Sequence, residues 1–112
     1  MSKTGNKIRF VAYQKNPKKG EVWCAKNIEF TDKIGVKSRP IVIKSITGDV
    51  IEYYRCTTKC VPGAHRIIDT ISAGLYRDTY IIPRVDRIDV KRLAYRYGEL
   101  SRFDKAAISY LN

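Results

Sequence analysis

Acidic residues are in short supply in this chain: 11 Asp plus Glu face 22 Lys plus Arg, a formal net charge of +11 over 112 residues. Those carboxylates are scattered, without the clustered acidic motif that a two-metal nuclease requires. A single histidine, His65, excludes a two-histidine acid/base pair within one chain. It follows Pro62-Gly63-Ala64 and is expected on a surface loop, solvated. No apolar run approaches the roughly 18–20 residues that cross a bilayer. The opening Met1-Ser2-Lys3-Thr4-Gly5 lacks the apolar core of a signal peptide, so a cytoplasmic location and no membrane partner are expected. Neither a G-x-x-x-x-G-K-[ST] loop, a dinucleotide fingerprint nor a G-x-S-x-G elbow occurs, so no cofactor is expected. The cysteines, Cys24, Cys56 and Cys60, are odd in number and lack a secreted framework spacing; free thiols in a reducing compartment account for them. Cys24, Cys56, Cys60 and His65 would make four metal ligands, but the paired C-x2-C knuckle of zinc sites is missing, and no metal is expected.

What is present describes one folded domain. Hydrophobic residues make up 44% of the chain and charged residues 29%, and the length suits one compact core. The positive excess points to a polyanionic partner: nucleic acid, an acidic protein or anionic lipid. It is unevenly placed. Lys3, Lys7, Arg9, Lys15, Lys18 and Lys19 supply six positive charges to residues 1–20 with no acid among them. Residues 1–19 are expected as a basic N-terminal extension to a single domain over 20–112. An electrostatic arm and a solvated tail are both open readings of that extension. Residues 1–56 hold nine Lys and three Arg, whereas 57–112 hold three Lys and seven Arg. Arginine's planar fork makes the second half the better place for defined phosphate or carboxylate contacts.

Alternating apolar residues and short β-branched or aromatic runs predict strands at 8–13, 20–26, 38–46, 50–57 and 79–84, with a further short strand within 66–71. Residues 28–37 read as a loop, Thr47-Gly48-Asp49 as a hairpin turn and Ala73-Gly74 as another turn. Pro83 should lie at a strand edge or end. A short turn is expected around Val90–Tyr95. Ser101 and Asp104 form a capping-box-like pair opening a C-terminal helix, whose apolar face is read as Phe103, Ala106, Ala107, Tyr110 and Leu111. The fold class is mainly β: a small, strongly bent barrel or sheet with a C-terminal helix.

Two segments flank the predicted hairpin. Ser38-Arg39-Pro40 places an arginine at a strand mouth, held extended by the proline, and Thr57-Thr58-Lys59 places hydroxyls and a cation at the end of the partner strand. Facing each other, Arg39 and Thr57 would clamp a phosphate. The residues alone favour the plainer reading, a surface arginine and a threonine of high β propensity. Tyrosines among basic residues (Tyr53, Tyr54, Tyr76, Tyr95, Tyr97) are either base-stacking groups or half-buried strand residues, and at least half are expected to be the latter.

Several stretches resemble the PemK/MazF family of toxin endoribonucleases. Gly20-Glu21-Val22-Trp23 is similar to that family's opening G-[DE]-[VI]-[WY] strand, and Arg39-Pro40-Ile41-Val42-Ile43 to its R-P-V-L-V-I strand. Cys56-Thr57-Thr58 resembles its threonine-bearing strand end. Gly74-Leu75 with Asp78-Thr79-Tyr80 resembles G-L-x-x-D-S-x, and residues 84–92 with Leu93, Gly98 and Leu100 resemble the I-R-T-I-D-x-x-R-L…G-x-L ending. The likeness runs in order over about residues 20–111. It implies an SH3-like barrel, usually a homodimer, that cleaves single-stranded RNA without metal and is neutralised by a cognate antitoxin. On this resemblance Arg39 and Thr57 are the catalytic pair, and Thr58, Lys59, Lys37, Arg84 and Arg87 are candidate substrate contacts. The family's loop G-S-E-Q is absent: the usual glutamate position falls on Ile34, with Asp32 the nearest acid. Two other functions fit the same barrel, a nucleic-acid-binding module without cleavage and a toxin that inhibits gyrase.

Overall fold

The computed structural model describes residues 16–29 and 36–111. The strand predicted at 8–13, most of the basic extension, and Ile34 with Asp32 lie outside the described residues. Among the described residues, six strands form one antiparallel sheet: β1 (Glu21–Glu29), β2 (Val36–Thr47), β3 (Val50–Thr57), β4 (His65–Arg66), β5 (Tyr80–Asp89) and β6 (Leu93–Glu99). They are ordered β4-β5-β3-β2-β1-β6 and followed by one helix, α1 (Arg102–Ile108). This mainly β architecture with a C-terminal helix is the expected class, and it is compatible with an SH3-like barrel.

The hairpin between β2 and β3 closes at Thr47↔Val50. Gly48 occupies the first turn position with φ +60°, the backbone a type II′ turn demands and glycine supplies without strain. Alternation then sorts side chains onto two faces. Val22, Val42, Tyr54, Cys56 and Ile81 line one, under Ile67, Ala73, Leu100 and Ile108. Trp23, Ala25, Ile41, Ile43, Tyr53 and Leu93 line the other, with Ile28, Ile51 and Ile88.

Several boundaries differ from the sequence reading. Residues 28 and 29 continue β1 and residues 36 and 37 begin β2, so the expected loop is shorter than 28–37. The shift in register after Ala25, with Asn27 at φ 59°, interrupts the apolar alternation that would have marked β1 as continuous. The strand sought within 66–71 is only His65–Arg66, and turns follow it. The turn expected at 90–95 is a single 3-10 turn, Val90–Arg92, before β6, a strand whose glycine and charged residues obscure its period. Pro83 sits within β5 where the register with β3 slips between Cys56↔Ile81 and Tyr54↔Val85, a bulge that needs no N–H from the proline.

The helix is capped as expected, with Ser101 Oγ accepting from the Asp104 N–H. Its buried face is different. Asp104 and Ile108 point inward, whereas Phe103 and Tyr110 are 68% and 87% exposed, and the helix ends at Ile108. The rotation follows from Asp104, which is drawn inward by donors on β4 and on the segment after it. His65 is one of them and is not solvated: its Nε2 lies 2.8 Å from Asp104 Oδ1.

Two glycines lock the turn at 72–74 against β6. A Cβ on Gly98 would stand 2.4 Å from the Ser72 carbonyl oxygen, and one on Gly74 (φ +77°) 2.0 Å from that of Tyr97. The Glu99 N–H donates to the same Ser72 oxygen at 3.0 Å, so the turn cannot slide away without losing a bond. Gly98→Ala is expected to destabilise the protein by about 1–3 kcal/mol through overpacking. Thermal unfolding should register this as a fall in Tm of roughly 5–15 °C, and an unchanged Tm would contradict the close packing of these backbones.

Candidate functional site

At one end of the sheet β2 pairs with β3 through Ile41↔Arg55. Continued by two residues, that register sets Arg39 opposite Thr57. Pro40 has no N–H to extend the ladder between them. Arg39 is half-buried with its Nε enclosed, and its charge is felt at Cys56, the neighbour of Thr57 in sequence. On its other side Arg39 pairs with Ala25, a fully buried methyl. Thr57 ends β3, where its Oγ1 accepts from the Lys59 N–H at 3.2 Å. That bond occupies the hydroxyl's acceptor side and leaves its proton for an outside acceptor such as a phosphate oxygen. Thr58 and Lys59 are exposed on the turn that follows, and Lys37, two residues before Arg39 on β2, is exposed on the same face.

The pair has a basic surround built on Asp86. Arg55, two residues before Thr57 on the same face and only 6% exposed, donates from Nε and Nη2 to Asp86 Oδ2 at 3.1 and 3.0 Å. Arg84 Nη2 stands 3.5 Å from Oδ1 of the same carboxylate. Two guanidinium groups thus share the Asp86 carboxylate. Arg87 falls on the opposite face, directly across from Glu52, with which it forms an ion pair of 2.9 Å. A hydrogen bond from Ser45, reinforced by the charges of Arg87 and Lys44, holds the Glu52 carboxyl below its usual range despite some desolvation. Arg39, Thr57, Lys37, Thr58, Lys59 and Arg84 are therefore gathered at one end of the sheet, and Arg87 is not.

Cys56 lies under this site without its chemistry. Burial pushes its thiol up to about 12, and the Arg39 charge offsets only part of that rise. At neutral pH it stays protonated, poor both as a nucleophile and as a metal ligand. Cys24 is also buried and Cys60 is exposed, all three free. Among the described residues no group of three or more His, Cys, Asp or Glu is placed to hold a metal ion. The native protein should therefore react with a thiol reagent quickly at one cysteine, and at all three once unfolded. Fast labelling of Cys56 in the folded protein would contradict its burial.

The sequence reading missed Arg55, Asp86, Arg66 and Tyr80 as neighbours of the pair. Arg55 was legible in principle, since Arg55-x-Thr57 alternates onto one face; the others depend on register. Of the tyrosines read as dual candidates, Tyr53 and Tyr54 are core residues, Tyr97 is half-buried, and Tyr76 and Tyr95 are exposed. A separate groove of about 730 Å³ lies beside α1, rimmed by Lys19, Lys44 and Lys105 over Ile43, Tyr54 and Ile108, and includes none of the predicted site residues. No helix among the described residues is long and apolar enough to cross a membrane.

No family model and no curated protein sequence matches the chain. Among solved structures, its fold is similar to that of an endoribonuclease in complex with its cognate antitoxin from a mycobacterial species, with a TM-score of 0.63 over 85% of this chain and 87% of that one, at 15% sequence identity.

Proposed function

We propose that this protein is an endoribonuclease toxin that cleaves single-stranded RNA without metal and is neutralised by a cognate antitoxin. What supports this reading is the β2–β3 register, which, continued two residues past Ile41↔Arg55, sets Arg39 across from Thr57 on a face that also carries Lys37. The fold it shares with a known endoribonuclease is consistent with it. RNA carries its own nucleophile. The ribose 2′-oxygen attacks the adjacent phosphorus, its proton leaves to solvent, and the phosphorus–5′-oxygen bond breaks. The departing oxygen takes up a proton, so the products are a cyclic phosphate and a 5′-hydroxyl end. The protein then has to position the phosphate and neutralise the charge that builds on its oxygens. Arg39 offers a charged fork for this and Thr57 a neutral donor beside it. An acidic antitoxin segment would compete for the same cations, and a cytoplasmic homodimer is the expected working form.

The test is incubation with single-stranded RNA in excess EDTA, wild type beside Arg39→Ala. Cleavage by the wild type that is lost in the variant is the expected result, with cyclic-phosphate ends on the products. Binding without cleavage by either protein would overturn the reading. It would favour a non-catalytic RNA-binding module, which is the reading that the vacant glutamate position at Ile34 supports.

A further inference from the structure

The row that holds Arg39 and Thr57 does not stop at Thr57. Thr57 pairs directly with Tyr80 on β5, and Tyr80 pairs directly with Arg66 on β4. Directly paired residues of antiparallel strands project to the same side, with neighbouring strands about 4.8 Å apart. Arg39, Thr57, Tyr80 and Arg66 therefore stand side by side across four strands of one face, in the order cation, hydroxyl, aromatic ring, cation. Tyr80 differs from the other tyrosines of the sheet's centre. Tyr53 and Tyr54 are 4% and 2% exposed and belong to the two cores, whereas Tyr80 is half-buried and belongs to neither. Among the described residues its phenol makes no hydrogen bond that would fix it for a structural purpose. Among the described residues, the Arg66 side chain, 63% exposed, is held by a surface ion pair with Asp78 at 3.2 Å. Such a pair contributes little and yields readily to a phosphate.

Resting on the proposed function, we infer that Tyr80 is a base-stacking residue: its ring receives the base of the nucleotide next to the scissile phosphate, and Arg66 contacts the following phosphate. The spacing suits this assignment. A phosphate seated on Arg39 and Thr57 places its neighbouring base one strand further along, where the ring is, and the next phosphate lies beyond that base. Stacking is tolerant of base identity, so Tyr80 contributes affinity and position, and any sequence preference must come from groups at the base edge.

Steady-state cleavage of a short RNA, together with anisotropy binding of a non-cleavable 2′-deoxy analogue, tests this. Tyr80→Ala should raise KM and weaken binding roughly 10- to 100-fold. It should change kcat far less, because a stacked base interacts alike before and during reaction. Tyr80→Phe should stay within about twofold of wild type, since the ring is kept. The decisive readout is an RNA lacking one base. Removing the base at the stacked position should weaken binding to the wild type as much as Tyr80→Ala does, and should add little further in that variant. A purely structural Tyr80 would give independent, additive effects, and additivity overturns the inference, as would a Tyr80→Phe protein as impaired as Tyr80→Ala. The KM and kcat outcomes require wild-type cleavage, whereas the binding outcomes do not. Wild-type protein that leaves RNA intact would overturn the proposed function and this inference together.

Discussion

Arg39→Ala is expected to lower the rate of RNA cleavage by about 10³-fold or more while the far-UV circular dichroism and the melting transition stay close to those of the wild type. The size of the effect follows from where charge appears. In the ground state the bridging phosphate carries one negative charge. As the 2′-oxygen adds, negative charge accumulates on the non-bridging oxygens, and a guanidinium already aimed at them gains strength in step. Arginines that serve phosphoryl transfer in this way contribute factors of about 10³–10⁵. Thr57→Val, of nearly the same shape, removes a neutral donor and should cost less, about 10²-fold, in line with the loss of one preorganised hydrogen bond. Thr57→Ser keeps the donor and should recover most of the activity. Arg39→Lys retains charge but not the fork, and should fall between wild type and Arg39→Ala. Because both side chains act on one phosphate, the double variant should be less impaired than the product of the two single losses. Single-turnover rates measured at saturating protein isolate this from RNA affinity. Arg39→Ala cleaving at the wild-type rate would remove the pair from the chemistry.

Why that pair could be found in the sequence, and much of its surround could not, is a matter of range. Arg39 and Thr57 flank a two-residue hairpin, so counting outward from Gly48-Asp49 through two extended strands brings them together without knowledge of the remaining chain. The same local logic located β3 and the helix cap at Ser101. Tyr80 and Arg66 are joined to Thr57 only through the β3–β5 and β5–β4 pairings, and those registers turn on a bulge around Pro83 that no alternation pattern reveals. The face of α1 was misassigned for a related reason. Helical periodicity ranks residues by apolarity, and it placed Phe103 and Tyr110 inward on that ground. The residue that governs the helix is a carboxylate with three of its partners, His65, Ile68 and Asp69, more than 30 residues earlier in the chain. Arg87 shows the converse. It resembles a substrate contact by charge alone, but strand parity sends it to the other face, toward Glu52.

That carboxylate carries the second large expected effect. Asp104 is fully buried, and its two oxygens accept from His65 Nε2 at 2.8 Å, the Ile68 N–H at 2.9 Å, the Asp69 N–H at 3.1 Å and Ser101 Oγ at 3.1 Å. It fastens α1 to the segment that follows β4, and Asp69 extends the tie by accepting from the Ser72 N–H and Oγ, next to the glycine-locked turn. Asp104→Ala leaves two backbone N–H groups and a histidine without their acceptor in a closed space, and should cost about 3–5 kcal/mol, the range for breaking one side of a buried charged interaction. Against a total stability of roughly 5–15 kcal/mol this is a large share, and urea unfolding should show it as a clear drop in midpoint. Asp104→Asn keeps the shape but puts an amide NH2 among donors, so it should be destabilised as well. The pH dependence has a definite sign. Burial pushes the Asp104 carboxyl up, but hydrogen bonds from Ile68, His65, Asp69 and Ser101 outweigh it and hold the group below its ordinary value. A carboxylate lowered in the folded state contributes stability that is full above the unfolded value of about 3.9 and lost as pH falls through the folded one. The difference in unfolding free energy between wild type and Asp104→Asn should therefore be largest near neutrality and shrink below about pH 4. Glu52 and Glu99, whose carboxyls are also lowered, are common to both proteins and cancel in that difference; Asp69, lowered mainly by its bonds from Ser72, is pushed up in part by the Asp104 charge, so its carboxyl falls further in Asp104→Asn. A gap that persists unchanged into acid would show that Asp104 acts through its shape and not its charge. The consequence reaches the face that carries Tyr80 and Arg66. β4 has only two residues, and one of them, His65, is bound by Asp104 while the other, Arg66, stands beside Tyr80. Asp104→Asn should therefore raise KM for RNA with little change in kcat, because what loosens is the outer contact and not the Arg39–Thr57 pair.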